Sequence, residues 1–165
     1  MAAILSLAPW LPKSTAREYA KIIRVEAARR SIHPYLFVAF ATVESTWNAQ
    51  ARSATADFGL MQVHVARRGS ARFLGREHEL FRPRTNIREW GRLAAMWKGY
   101  HKRTCEIPIK VCDTENCTRE RLSSHVWWAH LKWGYRPKDE WHAMIVGAIF
   151  DVLLKRFPLR HGGEV

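Results

Sequence analysis

Apolar residues recur three or four positions apart over long parts of the chain, which is the spacing of one face of an α-helix. The first such segment follows Thr15, whose spacing from Glu18 fits a capping box, a common signal for a helix start. Tyr19 and Ile22 lie on one face of this segment. We therefore predict a helix from Thr15 to about Arg30.

Residues 35–44 are apolar on all sides until the last position, Glu44. Pro34 comes directly before them, and proline is tolerated at the first position of a helix. A helix that is hydrophobic all round belongs in a core, although a short apolar run also fits a buried strand. The helical neighbours favour a buried central helix.

The rest of the pattern predicts loops and further helices. Thr85 or Asn86 is expected to cap a helix that runs to about Lys102. The predicted elements are a loop over 48–58, a short helix with a polar connection over 66–81, the helix to 102, a loop excursion over 103–121, a helix over 123–133 and a last helix over 137–157. No alternating strand pattern is visible, so we expect an all-α fold.

A length of 165 residues fits one domain over 1–165, with an N-terminal arm over 1–13 and a tail over 159–165. The longest apolar stretches, 35–43 and 143–150, are too short to span a bilayer. The arm carries no positive charge before its apolar residues, and Pro9 and Pro12 interrupt it. A packed arm is therefore favoured over a signal peptide.

The net charge of +12 favours an anionic partner. The basic residues are spread along the chain, and no dense tail or basic helix stripe stands out, which favours anionic cell wall over nucleic acid. The chain has three cysteines, at positions 105, 112 and 117. An odd number argues against a complete disulfide framework but permits one bridge. Their spacing is not the usual paired type of zinc sites, so no metal is expected.

Glu44 is the candidate catalytic residue. A carboxylate at the end of a buried helix borders the core, and both desolvation and the helix C-terminus disfavour its charged form. A carboxylic acid that stays protonated can donate its proton to a glycosidic oxygen. The alternative is that Glu44 is only the first solvent-facing residue after a core helix.

The residues around Glu44 resemble a known family. The stretch E-S-T-W-N-A-Q-A-R-S over 44–53 resembles the catalytic segment E-S-x-x-N-P-x-A-x-S of the soluble lytic transglycosylases. The stretch G-L-M-Q-V over 59–63 resembles their G-L-M-Q signature, and Asn86 and Ile87 resemble the N-I start of the following helix. The resemblance is close over 35–63 and looser over 85–97. It implies an all-α, lysozyme-like helical domain with a catalytic cleft.

The resemblance also implies roles for single residues. Glu44 would be the general acid and then the base. Ser53 and Gln62 would bind the sugar that carries the N-acetyl group, with Met61 in the same substrate-binding set. The backbone of Gly59 would pack under the glycan groove, where a side chain would intrude. The family's later A-Y-N-A-G segment has no clear match. The nearest candidate is W-W-A-H over 127–130, in which His130 or a neighbouring tryptophan would take the place of the tyrosine.

One carboxylate suffices in this family, because the N-acetyl group of the muramic sugar replaces the second carboxylate of ordinary glycosidases. The 6-hydroxyl of that sugar closes the ring and gives a 1,6-anhydro end, so no cofactor is needed. The expected substrate is the MurNAc-GlcNAc β-1,4 bond of peptidoglycan, the site of action is the bacterial cell wall, and the chain is expected to be a monomer or part of a virion or secretion system.

Two other functions stay open. The stretch F-G-L-M-Q-V also resembles goose-type lysozymes, which place aspartates where this chain has Ser53 and His64. Asp57 is an extra carboxylate that would make the protein a hydrolase if it positioned a water, although a solvated turn residue is the favoured interpretation. The other alternative is a non-catalytic, basic protein that binds cell wall or nucleic acid.

Overall fold

The computed structural model describes residues 1–66, 70–104 and 141–158. The chain divides into two compact units, Met1–Arg92 with Val146–Val165, and Leu93–Ile145. The prediction of one domain stays a prediction. The described elements are α1 (Ala2–Leu7), α2 (Lys13–Arg30), α3 (Pro34–Ser45), β1 (Asp57–Phe58), β2 (Val63–His64), two 3-10 helices (Ala71–Phe73 and Glu77–Phe81), α4 (Pro83–Thr104) and α5 (Trp141–Arg156).

The buried central helix predicted from the apolar run is α3. Its first residue is Pro34, and the Nδ1 atom of His33 caps it by accepting a 3.2 Å hydrogen bond from the backbone N–H of Tyr35. Every residue from 35 to 41 is buried. The helix ends where Thr46 and Trp47 adopt positive φ angles of 51° and 65°. The alternative of a buried strand is therefore wrong.

Helix α2 begins two residues earlier than the sequence pattern predicted. The carbonyl oxygen of Pro12 accepts a 3.0 Å hydrogen bond from the N–H of Ala16, and no side chain caps the helix. The predicted capping box at Thr15 is therefore wrong, because the first turn is already formed before that residue. The predicted end at Arg30 is confirmed, and Ser31 follows with a φ of 51°.

A small antiparallel hairpin follows α3. It pairs Asp57 with His64 and Phe58 with Val63, and an isolated bridge joins Arg52 to Phe58. The expectation of no strand is wrong at this point, because strands of two residues are too short to show alternation. The mostly helical architecture of the described residues confirms the all-α fold class.

The N-terminal arm forms the short helix α1, which packs against α2 and α3 and buries Ala3 and Ile4. Helix α4 begins at Pro83, so Asn86 lies inside its first turn and is not its cap. Within the described residues, every helix is too short or too polar to cross a membrane. The predicted loop excursion over 103–121 is wrong at its start, because α4 continues to Thr104. The rest of that predicted loop with its three cysteines, the predicted helix over 123–133, the tail over 159–165 and His130 lie outside the described residues.

Candidate active site

Glu44 is the last residue but one of α3, and it is half-buried. Its neighbour Ser45 donates a 2.7 Å hydrogen bond from Oγ to the carbonyl oxygen of Leu60. This bond ties the C-terminal end of α3 to the turn that joins β1 and β2. The backbone at Glu44 is therefore held beside the G-L-M-Q turn.

The turn itself fixes Gln62 in one orientation. Gln62 has a φ of 44°, and its backbone N–H donates to the carbonyl oxygen of Gly59 at 3.0 Å. Its side-chain Nε2 donates to the carbonyl oxygens of Ala51 and Gly59, at 3.2 and 2.9 Å. Its Oε1 accepts no hydrogen bond from the described part of the chain. The two bonds made by Nε2 therefore fix the direction in which Oε1, a hydrogen-bond acceptor, points.

Asn86 stabilises the G-L-M-Q turn through hydrogen bonds to its backbone. Its side chain is fully buried, and its Oδ1 accepts a 2.7 Å hydrogen bond from the backbone N–H of Met61. Its Nδ2 donates to the carbonyl oxygens of Phe58 and Leu80, at 2.7 and 2.9 Å. One amide thus satisfies three backbone groups of two segments. The sequence pattern assigned Asn86 only to a helix start, and the N-I match in the family signature was the one signal of a further role.

Gly59 is required by this contact. It has a φ of +74°, and a Cβ built on it would lie 2.2 Å from the carbonyl oxygen of Leu80 and 2.4 Å from Nδ2 of Asn86. A side chain would therefore strike the protein's own interior, whereas the sequence interpretation placed the conflict in the glycan groove. Met61 is 1% exposed, so its side chain packs in the core. Its contribution to the site is its backbone N–H, which binds Asn86.

Asp57 is the centre of a polar cluster in the loop before the turn. Its Oδ2 accepts hydrogen bonds from Ser53 Oγ at 2.7 Å and Thr55 Oγ1 at 2.6 Å. Its Oδ1 lies 2.9 Å from Nδ1 of His64, the residue paired with it across the hairpin. The side chain is only 17% exposed, so the interpretation as a solvated turn residue is wrong. Burial alone would raise the pKa of Asp57, but its hydrogen bonds to Thr55, Ser53 and His64 lower it overall.

The hydroxyl of Ser53 is committed to this cluster. It donates to Asp57 and accepts from the backbone N–H groups of Thr55 and Asp57, at 3.2 and 3.0 Å. The backbone of Ser53 also pairs with that of Asp57. The arrangement places Asp57 between the serine and the histidine, which is not the order of a Ser-His-Asp nucleophile, in which the histidine takes the proton from the serine.

The structure thus joins most of the predicted site residues through one loop system. Ala51 accepts hydrogen bonds from both Gly59 and Gln62, and the bond from Ser45 connects the helix that carries Glu44. No group of three or more His, Cys, Asp or Glu side chains in the described segments could hold a metal ion. Whether His130 reaches this loop lies outside the described residues.

The segment that contains this site is similar to a known family. Residues 21–96 match the family model of the Transglycosylase SLT domain. These residues are therefore similar to an SLT transglycosylase domain. The match covers just under half of the chain and includes Glu44, Ser53, Gln62 and Asn86. No curated protein and no solved structure matches the chain.

The resemblance seen in the sequence is therefore confirmed, and the mostly helical described residues are consistent with a lysozyme-like SLT domain. Domains of this family are of the type that cleaves the glycan strands of peptidoglycan, which implies a peptidoglycan substrate and action on the cell wall.

Proposed function

We propose that the chain is a lytic transglycosylase that cleaves the MurNAc-GlcNAc β-1,4 bond with Glu44 as general acid and then base. The observation that carries this proposal is the bond from Ser45 to Leu60, which holds the end of α3 beside the G-L-M-Q turn inside the SLT segment. An acid must have a fixed position relative to the bound sugar, because a proton is transferred only within hydrogen-bond reach.

The reaction needs one carboxyl group in two protonation states. Protonated Glu44 gives its proton to the glycosidic oxygen as the bond to C1 of the muramic sugar breaks, and the N-acetyl oxygen of that sugar stabilises C1. The carboxylate of Glu44 then takes the proton from the sugar's 6-hydroxyl as this oxygen bonds to C1. The products are a 1,6-anhydro end and a new hydroxyl end, and Glu44 is again protonated.

Gln62 is proposed to bind the substrate through Oε1. Both N–H groups of its amide point to backbone carbonyls, so the oxygen is the atom left to accept from an N–H or O–H of the sugar. Ser53 is proposed to act mainly on the loop, because its hydroxyl already makes its full set of hydrogen bonds within the protein. Direct binding of a sugar by Ser53 would require it to give up one of them.

The alternative is a lysozyme-type hydrolase of the same bond, with Asp57 activating water. The three side-chain hydrogen bonds to Asp57 support a positioning role, since a base must keep an oxygen available for the water. The third alternative, a non-catalytic basic binder, is disfavoured by the presence of Glu44 and Gln62 in the matched segment.

Product analysis tests the proposal. Purified peptidoglycan is digested with the full chain, and the fragments are examined by mass spectrometry. Anhydro ends are expected, whereas reducing ends would establish a hydrolase. Glu44→Gln is expected to abolish cleavage, and Glu18→Gln, at an exposed glutamate of α2, is the matched control. A Glu44→Gln variant with undiminished cleavage would overturn the role of Glu44.

The biological setting is also a proposal. A phage lysin or virion component and a bacterial secretion-system or wall-remodelling enzyme both fit a basic SLT domain. The genes beside the coding sequence distinguish them, since a neighbouring holin gene supports the lysin and structural phage genes support the virion component.

A further inference from the structure

The exposed side of α2 carries a line of four cations. Lys13, Arg17, Lys21 and Arg24 are separated by four, four and three residues, and all four are exposed. At about 100° per residue they fall within an arc of about 80° on the helix. We name these four residues the α2 basic stripe. The sequence interpretation that no basic helix stripe exists is wrong, because buried residues separate the four cations in sequence while the helix brings them to one side.

The stripe is not neutralised within the described protein. None of its four side chains forms an ion pair or a hydrogen bond with another described residue. The two acidic residues of α2 are Glu18, which is exposed beside the stripe, and Glu26, which is buried and paired with Arg29 and Arg30. The stripe therefore keeps a net positive potential along its length.

The geometry of the stripe fits a linear polyanion. The line from Lys13 to Arg24 is about 17 Å long, with a rise of about 6 Å for every four residues. Regular charges along a line match a polymer that carries one negative charge per repeat, and such contacts release counterions on binding. A lipid surface is a poorer fit, because the apolar side of α2, including Tyr19, Ile22 and Ile23, is buried in the core and cannot insert.

We propose that the α2 basic stripe binds a phosphodiester polymer attached to the cell wall. This inference rests on the proposed function, because the SLT domain brings the protein to the wall. Helix α2 packs directly on α3, which carries Glu44, so the stripe belongs to the same compact unit as the site. Binding of the polymer would hold the enzyme on its insoluble substrate between cleavage events.

The test is a binding experiment that does not depend on cleavage. The Glu44→Gln protein is sedimented with Gram-positive cell walls before and after their phosphodiester polymers are removed with hydrofluoric acid, and soluble poly(glycerol phosphate) is the competitor. In this background Lys13, Arg17, Lys21 and Arg24 are all changed to Gln, which keeps helix propensity. The control changes four exposed cations elsewhere to Gln: Arg84, Arg88, Lys102 and Lys155.

Loss of the stripe is expected to weaken binding to intact walls roughly tenfold or more, and to reduce the slope of log K against log salt by about 2 to 3, at about 0.7 per phosphate contact. The control variant should bind as its parent does, and walls without the polymer should bind the stripe variant and its parent equally. The double change of Arg17 and Lys21 to Gln should give an intermediate loss, which keeps the test valid if the fourfold variant does not fold.

Four outcomes would overturn the proposal: unchanged binding by the stripe variant, an equal loss in the control variant, the same loss on walls stripped of polymer, or tighter stripe-dependent binding to single-stranded DNA than to poly(glycerol phosphate). A failure of the proposed function is separate, because it appears as missing cleavage of polymer-free peptidoglycan by the unmodified chain while wall binding is retained.

Discussion

The side chain of Asn86 packs so closely against Gly59 that no Cβ atom fits on residue 59. A Cβ on residue 59 would lie 2.4 Å from Nδ2 of Asn86 and 2.2 Å from the carbonyl oxygen of Leu80. The amide of Asn86 can bind the turn only because residue 59 has no side chain. The G-L-M-Q turn and the first turn of α4 are therefore one structural unit.

Gly59→Ala should destabilise the protein by about 3 kcal/mol or more, because a left-handed backbone and a steric overlap both oppose the new methyl group. Urea unfolding measures the change. Gly75→Ala is the matched control, since Gly75 has nearly the same φ, +76°, but nothing within 4 Å of a built Cβ. It should cost about 1 kcal/mol. Equal losses in the two variants would show that the contact with Asn86 contributes nothing.

Asn86→Ala should cost about 3 kcal/mol, because it leaves the N–H of Met61 and the carbonyls of Phe58 and Leu80 without their buried partner. Cleavage by the folded fraction should also fall roughly tenfold to hundredfold as the turn shifts. Asn48→Ala, which removes one exposed bond to the N–H of Gln50, should have little effect on the unfolding free energy. A fully active Asn86→Ala enzyme would separate the turn from catalysis.

The sequence predicts well what depends on neighbouring residues. Helix α3 was predictable because its apolar residues are continuous, and the end of α2 because the pattern stops there. The partners of Asn86 were not predictable, since they lie 6 to 28 residues away along the chain and meet only in the folded state. The apolar run singled out Glu44, whereas Ser53, Gly59 and Gln62 were identified only from the family signature.

Asp57 and the α2 basic stripe show the same limit. In sequence, Asp57 stands among small polar residues and looks like part of an exposed turn. Its partner His64 comes beside it only through the hairpin, whose strands are too short to predict. The four cations of the stripe likewise look dispersed until the helix is formed. Both features were missed because they form only once the hairpin and the helix are built.

Asp57→Asn should lower stability at pH 7 by about 1–2 kcal/mol, because the charged carboxylate makes stronger hydrogen bonds than an amide. The pKa of Asp57 is lowered on folding, so its contribution is present above its unfolded value and is lost as the pH falls through the folded value. The unfolding temperatures of Asp57→Asn and of the unmodified chain should therefore converge at acid pH. Asp151→Asn, at an exposed position on α5, should leave the unfolding temperature at pH 7 unchanged.

The same variant distinguishes the two roles of Asp57. As a positioning residue for Ser53, it should affect the rate of glycan cleavage only severalfold, and the products should keep their anhydro ends. A general base contributes about 10² to 10⁴ in rate. A loss of that size in Asp57→Asn, together with reducing ends made by the unmodified chain, would instead establish the hydrolase.

Glu89→Gln should destabilise the protein by about 2–3 kcal/mol, because Glu89 is fully buried and binds Ser70, Arg72 and Arg92. Burial would raise the pKa of Glu89, but its bonds to Arg92 and Ser70 and the charges of both arginines lower it overall. This stabilisation is therefore also lost on acidification. Glu79→Gln, which breaks an exposed pair with Arg76, should leave the unfolding free energy unchanged within error.

His33 should make the stability of α3 sensitive to pH. Burial lowers the pKa of His33, and its neutral Nδ1 accepts the capping bond from Tyr35. A histidine whose pKa is lower in the folded state stabilises fully above the unfolded value, near 6.5, and loses this contribution as the pH falls through the folded value. His33→Asn keeps a good cap without the charge. Its unfolding free energy should change less between pH 7.5 and about 5, whereas His78→Asn, at an exposed histidine, should behave as the unmodified chain does. An identical pH dependence in His33→Asn and the unmodified chain would show that the cap does not titrate.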